Sequence, residues 1–171
     1  MALYLVRHGR PAVRPGAPPH EWELDPAGFD DVWALRESGR LPLRATWFCS
    51  PELKAIGTAQ LLTESDVGVL DELREHVRTT GDRIDDFART VRRAFDDPEV
   101  AAYDGWEPLA ECRARVVPAV RRVLDVHAGE DVVLVGHGTA WTVLAAELTG
   151  TAPDLDRWAG LAMPDLIVLP V

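Results

Sequence analysis

Short, uninterrupted apolar runs alternate with helical segments along this chain, and that alternation restricts the possible fold more than any other feature. The runs at 3–6 and 132–135 are apolar throughout, as expected of strands buried on both faces of a sheet. Further strands are predicted at 46–49, 67–70 and 165–169. Strands that alternate with helices through one domain are typical of an open, mostly parallel sheet. We therefore predict a three-layer α/β/α fold with helices on both faces of the sheet.

Capping signatures between these runs mark where the helices begin. Asp-Pro at 25–26 and Ser-Pro at 50–51 each combine a good N-cap residue with a first-turn proline. Trp33 is expected to point into the core from the first helix, and Pro118 predicts a kink or break in a later one. The predicted helices cover residues 26–38, 51–62, 82–95, 108–127 and 139–148.

Size and charge limit the possible functions. The chain has 171 residues and a formal net charge of -10, so we expect a single domain over residues 1–171 and no affinity for nucleic acid or an anionic membrane. No apolar stretch approaches the roughly 20 residues needed to cross a bilayer. No signal peptide is recognised at the start of the sequence, so a cytoplasmic location is expected. Cys49 and Cys112 are expected to be buried thiols and neither a disulfide nor metal ligands.

Basic side chains stand where three of the predicted strands end. Arg7 and His8 follow the first strand, Lys54 lies one turn into the helix after the second, and His137 follows the strand at 132–135. The carboxyl ends of parallel strands meet at one edge of such a sheet. A group of cations is costly in a core, whereas around a phosphoryl group the anionic charge offsets that cost. This arrangement predicts a phosphate site.

Glycines and a helix start accompany the two histidines. Gly9 and Gly138 would let the backbone approach a ligand closely, and a helix beginning near Thr139 would direct free N–H groups at the same anion. Neutral imidazole is available at pH 7 and is a competent nucleophile toward phosphorus. His8 is therefore the predicted nucleophile, and no metal is implied because the histidines are dispersed.

Five segments occur along the chain in a specific order. This ordered set resembles the histidine phosphatase superfamily, also called phosphoglycerate mutase-like (branch 1), over nearly the whole chain. The resemblance implies a phosphoglycerate mutase-like fold and a phosphoric monoester hydrolase without a cofactor. The segments are LVRHG at 5–9, SPELKAIGTA at 50–59, LRE at 73–75, GWEPL at 105–109 leading into RVVP at 115–118, and VLVGHG at 133–138.

The resemblance also implies a role for each matching residue. His8 would become phosphohistidine, and Glu75 would protonate the leaving oxygen and later help to activate water. Glu72 lies close in sequence and leaves the identity of the acid open. His137 would act both in catalysis and in holding phosphate. The implied phosphate-binding residues are Arg7, Lys54, His137 and Gly138.

Two departures from the family pattern bear on these roles. Lys54 stands where most members have arginine. Lysine keeps the positive charge but cannot bind phosphate through two parallel hydrogen bonds from a planar group. The polar continuation of the first motif is replaced by RPAV at 10–13. Arg10, Arg14 and His20 are left without an assigned role.

The predicted function is hydrolysis of a phosphomonoester of a small metabolite through phosphohistidine on His8. One alternative is a phosphohistidine phosphatase that acts on a phosphoprotein, and another, suggested by Lys54, is a catalytically quiet phospho-ligand binder. A mutase is disfavoured because the chain is short of insertions that could form a closing lid. Specificity is expected in the segments 10–25 and 76–106, where Trp22 and Trp106 are candidates for stacking on a substrate. The substrate and the oligomeric state stay open.

Overall fold

A five-stranded sheet forms the centre of the structure, a computed structural model that describes residues 1–81 and 83–171. The strand order is β3-β2-β4-β1-β5. The pairs β1–β4, β2–β4 and β2–β3 are parallel, and β5 runs antiparallel to β1 at one edge. The prediction of an open, mostly parallel sheet is therefore confirmed. The strands are β1 (Ala2–Arg7), β2 (Thr46–Cys49), β3 (Val67–Val69), β4 (Val132–Gly136) and β5 (Asp165–Pro170).

In residues 1–81 and 83–171, six α-helices connect these strands. The third begins at Phe87, where the side chain of Asp86 accepts a hydrogen bond from the backbone N–H of Arg89. Its predicted start, Asp82, lies outside the described residues. None of the described helices combines the length and apolar character needed to cross a membrane. The helices are α1 (Phe29–Glu37), α2 (Leu53–Leu62), α3 (Phe87–Asp96), α4 (Leu109–Val126), α5 (Gly138–Thr149) and α6 (Leu155–Gly160).

The two faces of the sheet bury separate apolar clusters. All five residues of β4 are buried, which explains the uninterrupted apolar run in the sequence. Leu134 packs in the cluster that α3, α4 and α5 cover, and Val133 packs in the cluster that α1 and α2 cover. Cys112 belongs to the first cluster and Cys49 to the second, and both are free thiols. The predicted three-layer arrangement is confirmed.

One local prediction about the helices is wrong. Trp33 is 40 % exposed, with the guanidinium of Arg36 lying 5.0 Å from its ring centroid. Val32 and Leu35 occupy the buried stripe of α1, and at 3.6 residues per turn Trp33 falls beside that stripe. At Pro118, where a kink or a break was predicted, there is no break, since α4 continues through this residue. Its neighbours are buried against the sheet, and this packing holds the helix together despite the missing N–H.

Candidate active site

The ends of three neighbouring strands bring the predicted histidines together. Arg7 pairs with Gly136 in the register of β1 and β4, so the residues that follow these strands lie side by side. The backbone N–H of His8 donates to the Gly136 carbonyl at 2.8 Å, and that of Ser50 donates to Val135 at 2.9 Å. The rings of His8 and His137 are 5.2 Å apart between centroids. The convergence predicted from the strand ends is therefore observed.

A cleft of about 390 Å³ opens at this edge of the sheet. Gly138 lies behind Arg7: a β-carbon added to it would be 3.4 Å from the Arg7 Nε. Gly9 packs inward, where a β-carbon would come within 2.7 Å of Val32 and 2.8 Å of Leu24, so this glycine is required for packing against the core. Five of the predicted site residues line the cleft: Arg7, His8, Lys54, Glu75 and His137.

His8 is held in one tautomer. Its Nδ1 lies 2.6 Å from the Gly9 carbonyl oxygen, and because a carbonyl oxygen only accepts hydrogen bonds, Nδ1 must carry the proton. Burial, His137 and Lys54 together lower the pKa of His8 well below its usual range. His8 is therefore neutral at pH 7 with its lone pair on Nε2, which is the form that a nucleophile requires.

Arg7 is anchored at one end of its guanidinium. Nη1 donates to the Leu161 carbonyl at 2.5 Å, which fixes the side chain against the loop that precedes β5. Burial lowers the pKa of Arg7, and the carboxylates of Glu75 and Asp165 oppose that shift. Nε is buried and has no hydrogen-bond partner within 1–81 and 83–171. Arg7 thus brings a partly satisfied positive charge to the cleft beside His8.

Glu52 is a site residue that the sequence analysis missed. Its carboxylate accepts from Lys54 Nζ at 2.5 Å and from the backbone N–H of Glu75 at 2.9 Å, and it lies 3.4 Å from His137 Nε2. Burial by itself would raise the pKa of Glu52, but His137 and Lys54 outweigh burial and lower it. Its one signal in the sequence is an acidic residue between Pro51 and Lys54 in an otherwise apolar segment. Glu52 connects three of the elements that form the site.

Lys54 lies in the cleft with partners of its own. Besides Glu52, its Nζ donates to the Pro19 carbonyl at 2.6 Å, and only 4 % of the residue is exposed. Thr58, one turn along α2, accepts from the backbone N–H of Gly9 at 2.9 Å and so ties this helix to the first motif. A phosphate that approached Lys54 would compete with the Glu52 carboxylate for the same ammonium group.

Glu75 sits at the N-terminus of α5. Its carboxylate accepts from the backbone N–H groups of Thr139 at 3.1 Å and Ala140 at 2.9 Å. Burial would raise the pKa of Glu75, but the charges of His137 and Arg78 and the backbone N–H groups of His76 and Thr139 lower it to about 2. The prediction that free N–H groups of this helix face the bound anion is wrong at Thr139 and Ala140, because the positive end of the helix already binds a carboxylate.

Glu72, the other candidate acid, points away from the cleft. Its side chain is 42 % exposed and lies 3.4 Å from Arg122 Nη2 on the surface of α4. Of the two acidic residues, Glu75 is the one that lines the cleft.

Arg78 is a second cleft residue that the sequence analysis missed. Its Cζ lies 4.5 Å from the ring centroid of Trp106 and 4.7 Å from that of Phe87. Burial lowers the pKa of Arg78, and Glu75 and Glu52 oppose the shift. The segment around it is irregular, so no periodicity marked its side chain as inward-facing.

Two of the three unassigned residues of the segment 10–25 form ion pairs near the surface. Arg10 pairs with Asp25 at 3.2 Å and Arg14 with Glu21 at 3.5 Å, all four on the surface or half-buried. His20 lines the cleft. Trp22 also lines it, and its indole N–H donates to the Ala17 carbonyl at 3.1 Å. In the part of the chain that is described, no group of three or more His, Cys, Asp or Glu side chains is placed to hold a metal ion.

Comparison with known proteins places this geometry in a family. The family model of the histidine phosphatase superfamily (branch 1) matches residues 3–169. No curated protein sequence matches the chain.

Solved structures with the same fold cover almost the whole chain. Mycobacterial glucosyl-3-phosphoglycerate phosphatase is 26% identical with a TM-score of 0.72, over 98% of this chain and 88% of that one. YhfR of Bacillus stearothermophilus is 24% identical with a TM-score of 0.76, over 99% and 91%. A phosphoserine phosphatase from Entamoeba histolytica is 16% identical with a TM-score of 0.75, over 98% and 89%. The last two similarities concern the fold alone.

Proposed function

Because the chain belongs to branch 1 of the histidine phosphatase superfamily, we propose that it hydrolyses a phosphomonoester of a small metabolite through phosphohistidine on His8. The observation that carries this proposal is the neutral His8 ring, whose Nδ1 proton is held by the Gly9 carbonyl and whose Nε2 lone pair is free. The similarity to glucosyl-3-phosphoglycerate phosphatase supports a phosphoester of small-molecule size, and so does a cleft of about 390 Å³.

The first half of the reaction transfers the phosphoryl group to the protein. His8 Nε2 attacks phosphorus, the N–P bond forms, and the bond from phosphorus to the leaving oxygen breaks. The Nδ1 proton stays on the hydrogen bond to Gly9, so the phosphorylated ring is cationic and leaves readily in the second half. Arg7, Lys54 and His137 surround the position of the phosphoryl oxygens and stabilise their charge.

Glu75 is proposed as the group that handles the proton of the leaving oxygen. With a pKa of about 2 it is ionised in the empty cleft. The negative charge of a bound monoanionic phosphoester raises that pKa, since a like charge disfavours ionisation. Glu75 then takes the proton of the monoanionic phosphoester and donates it to the leaving oxygen. In the second half the carboxylate takes a proton from the water that attacks phosphorus. The O–P bond forms, the N–P bond breaks with its electron pair returning to His8 Nε2, and inorganic phosphate leaves.

Turnover of a generic aryl phosphate is the first test. The unmodified protein should release inorganic phosphate, and His8→Ala should not. Rapid denaturation at alkaline pH during turnover by His137→Ala should trap acid-labile phosphohistidine on the peptide that contains His8. A label on a different residue would contradict the assignment of His8 as nucleophile.

A catalytically quiet phospho-ligand binder is the second candidate. The observation that favours it is the buried ion pair of Glu52 and Lys54, because a carboxylate inside a phosphate site opposes a dianion and occupies the ammonium group. Binding of phosphate esters without any turnover in the unmodified protein would establish this second candidate over the first.

A further inference from the structure

We propose that Arg78 determines specificity in this cleft by binding a carboxylate on the leaving-group part of the substrate. The substrate class is thereby narrowed to phosphomonoesters whose alcohol part carries a carboxylate. The proposal rests on the proposed phosphatase function.

The Arg78 guanidinium is fixed in place by two aromatic rings. Trp106 is 5 % exposed and belongs to the core cluster, and Phe87 begins α3, so the rings come from separate segments. Both lie within 5 Å of the Arg78 Cζ, measured to the ring centroid. Aromatic faces attract a cation but leave the in-plane N–H donors unused. The geometry therefore orients the guanidinium without satisfying it.

The hydrogen bonds of Arg78 are few for a half-buried cation. Within residues 1–81 and 83–171, Nε is buried without a partner, and Nη2 reaches only Thr139 Oγ1 at a long 3.4 Å. No carboxylate of residues 1–81 or 83–171 lies within ion-pair distance of it. Glu75 and Glu52 act on Arg78 only from a distance. A cation withdrawn from water without a direct ion pair is costly, and an anionic ligand in contact with it would reduce that cost.

Arg115 shows what a structural arginine looks like in the same region. It pairs with the Glu107 carboxylate at 2.6 Å and donates to three backbone carbonyls of the segment 72–75. Its donors are thus used within the protein. Arg78 comes just after the segment 72–75 in the sequence. Among the described residues it has no comparable set of hydrogen-bond acceptors, and it lines the cleft.

The position of Arg78 assigns it to the leaving-group side. Thr139 joins it to the proposed proton donor: its backbone N–H binds Glu75 and its hydroxyl contacts Arg78. A group bound at Arg78 therefore belongs to the part of the substrate that Glu75 protonates.

A carboxylate fits this position better than a second phosphate. Glu52 and Glu75 already place two negative charges in the cleft, so a singly charged group meets less repulsion there than a dianion does. The planar guanidinium also matches a carboxylate with two parallel hydrogen bonds.

The experiment compares two esters that differ in one group. 3-Phosphoglycerate carries a carboxylate where glycerol 3-phosphate carries a hydroxymethyl group. The unmodified protein should prefer 3-phosphoglycerate by about 10-fold or more in kcat/KM, and Arg78→Met should lower that preference by about 10- to 100-fold. Arg78→Lys keeps the positive charge but replaces the planar guanidinium with an ammonium group, so it should give an intermediate preference.

Arg74→Met is the matched control. Arg74 also lines the cleft, but it already pairs with Asp71 at 3.0 Å, so the preference between the two esters should change less than about twofold. An unmodified protein without the preference would overturn the proposal, and so would an equal loss on both esters in Arg78→Met. A stronger preference for an ester with a second phosphate would overturn the choice of carboxylate.

Failure of the phosphatase function gives a different pattern. In that case no ester and no aryl phosphate turns over, and equilibrium binding of the same two esters replaces kcat/KM. The expected preference and its loss in Arg78→Met are unchanged in that measurement, and equal binding of both esters by the unmodified protein would overturn the assignment of Arg78.

Discussion

Two parts of the cleft hold their charges in different ways. The floor consists of side chains at or just after the ends of β1, β2 and β4. The wall consists of Arg78 and Phe87, with the buried ring of Trp106 against the guanidinium. In the floor several polar groups have short partners, such as Glu52 with Lys54 at 2.5 Å and His8 with the Gly9 carbonyl at 2.6 Å. Arg7 Nε and His137 Nδ1 are the floor atoms without a partner in the part of the chain that is described. In the wall an aromatic corner orients a guanidinium whose donors are largely unused.

The difference separates chemistry from selectivity. The floor is attached to parallel strands whose register is fixed, so its groups are positioned before a ligand arrives. The wall stands on an irregular segment and on the start of α3, where side chains can vary without disturbing the sheet. We expect changes in the floor to affect every phosphoester alike, and changes in the wall to affect esters according to their leaving groups.

His8→Ala is the change with the largest expected effect. Without the Nε2 nucleophile the proposed covalent route is closed, and kcat for an aryl phosphate should fall by roughly 10⁴-fold or more. His127→Ala is a matched control, since His127 lies beside Phe48 and Glu130, outside the cleft, and should keep its activity. Comparable loss in both variants would point to general unfolding.

Glu52→Gln should break the network of the floor. Lys54 would lose its counter-ion while remaining nearly inaccessible to water, and the free energy of unfolding should fall by about 3 kcal/mol. Inorganic phosphate should restore part of the loss, because a bound anion replaces the missing charge. Denaturant titration with and without phosphate measures both effects. A loss of stability that phosphate does not reduce would argue against Lys54 as a phosphate ligand.

Lys54→Arg tests the departure from the family pattern. A planar guanidinium can bind two phosphoryl oxygens at once, so KM for an aryl phosphate should fall by about 3- to 10-fold. The same factor is expected for esters with and without a carboxylate, because Lys54 belongs to the floor. A change in KM that differed between these esters would contradict the assignment of Lys54 to the floor.

The smallest expected effect is on the pH dependence of kcat/KM. The pKa of His8 is lowered by burial, His137 and Lys54, and protonation of His8 removes the nucleophile, so activity should fall on the acid side only below pH 6.5. Lys54→Gln removes a nearby positive charge and should raise the pKa of His8, moving the acid limb to higher pH. Arg78→Met should move it less. An acid limb that Lys54→Gln leaves in place would contradict the electrostatic account of His8.

The sequence was informative wherever a property depended on neighbours along the chain. The apolar run of β4 predicted a strand buried on both faces. His8 and His137 could be placed together because the carboxyl ends of parallel strands lie at the same edge of the sheet. The motif order was sufficient to identify the family, since the matching segments recur at fixed positions along residues 3–169. Trp33 was misplaced because two smaller residues, Val32 and Leu35, fill the buried stripe of α1.

By itself, the sequence determined the α/β/α fold, the family and the group of residues at the strand ends, because strand burial and capping are local properties. Only the tertiary structure decided which charges meet across the cleft. It paired Glu52 with Lys54, placed Glu75 on the N-terminus of α5, and left Arg78 against two rings. These contacts join residues from separate elements, and their energies depend on distance and burial, which spacing along a chain does not encode.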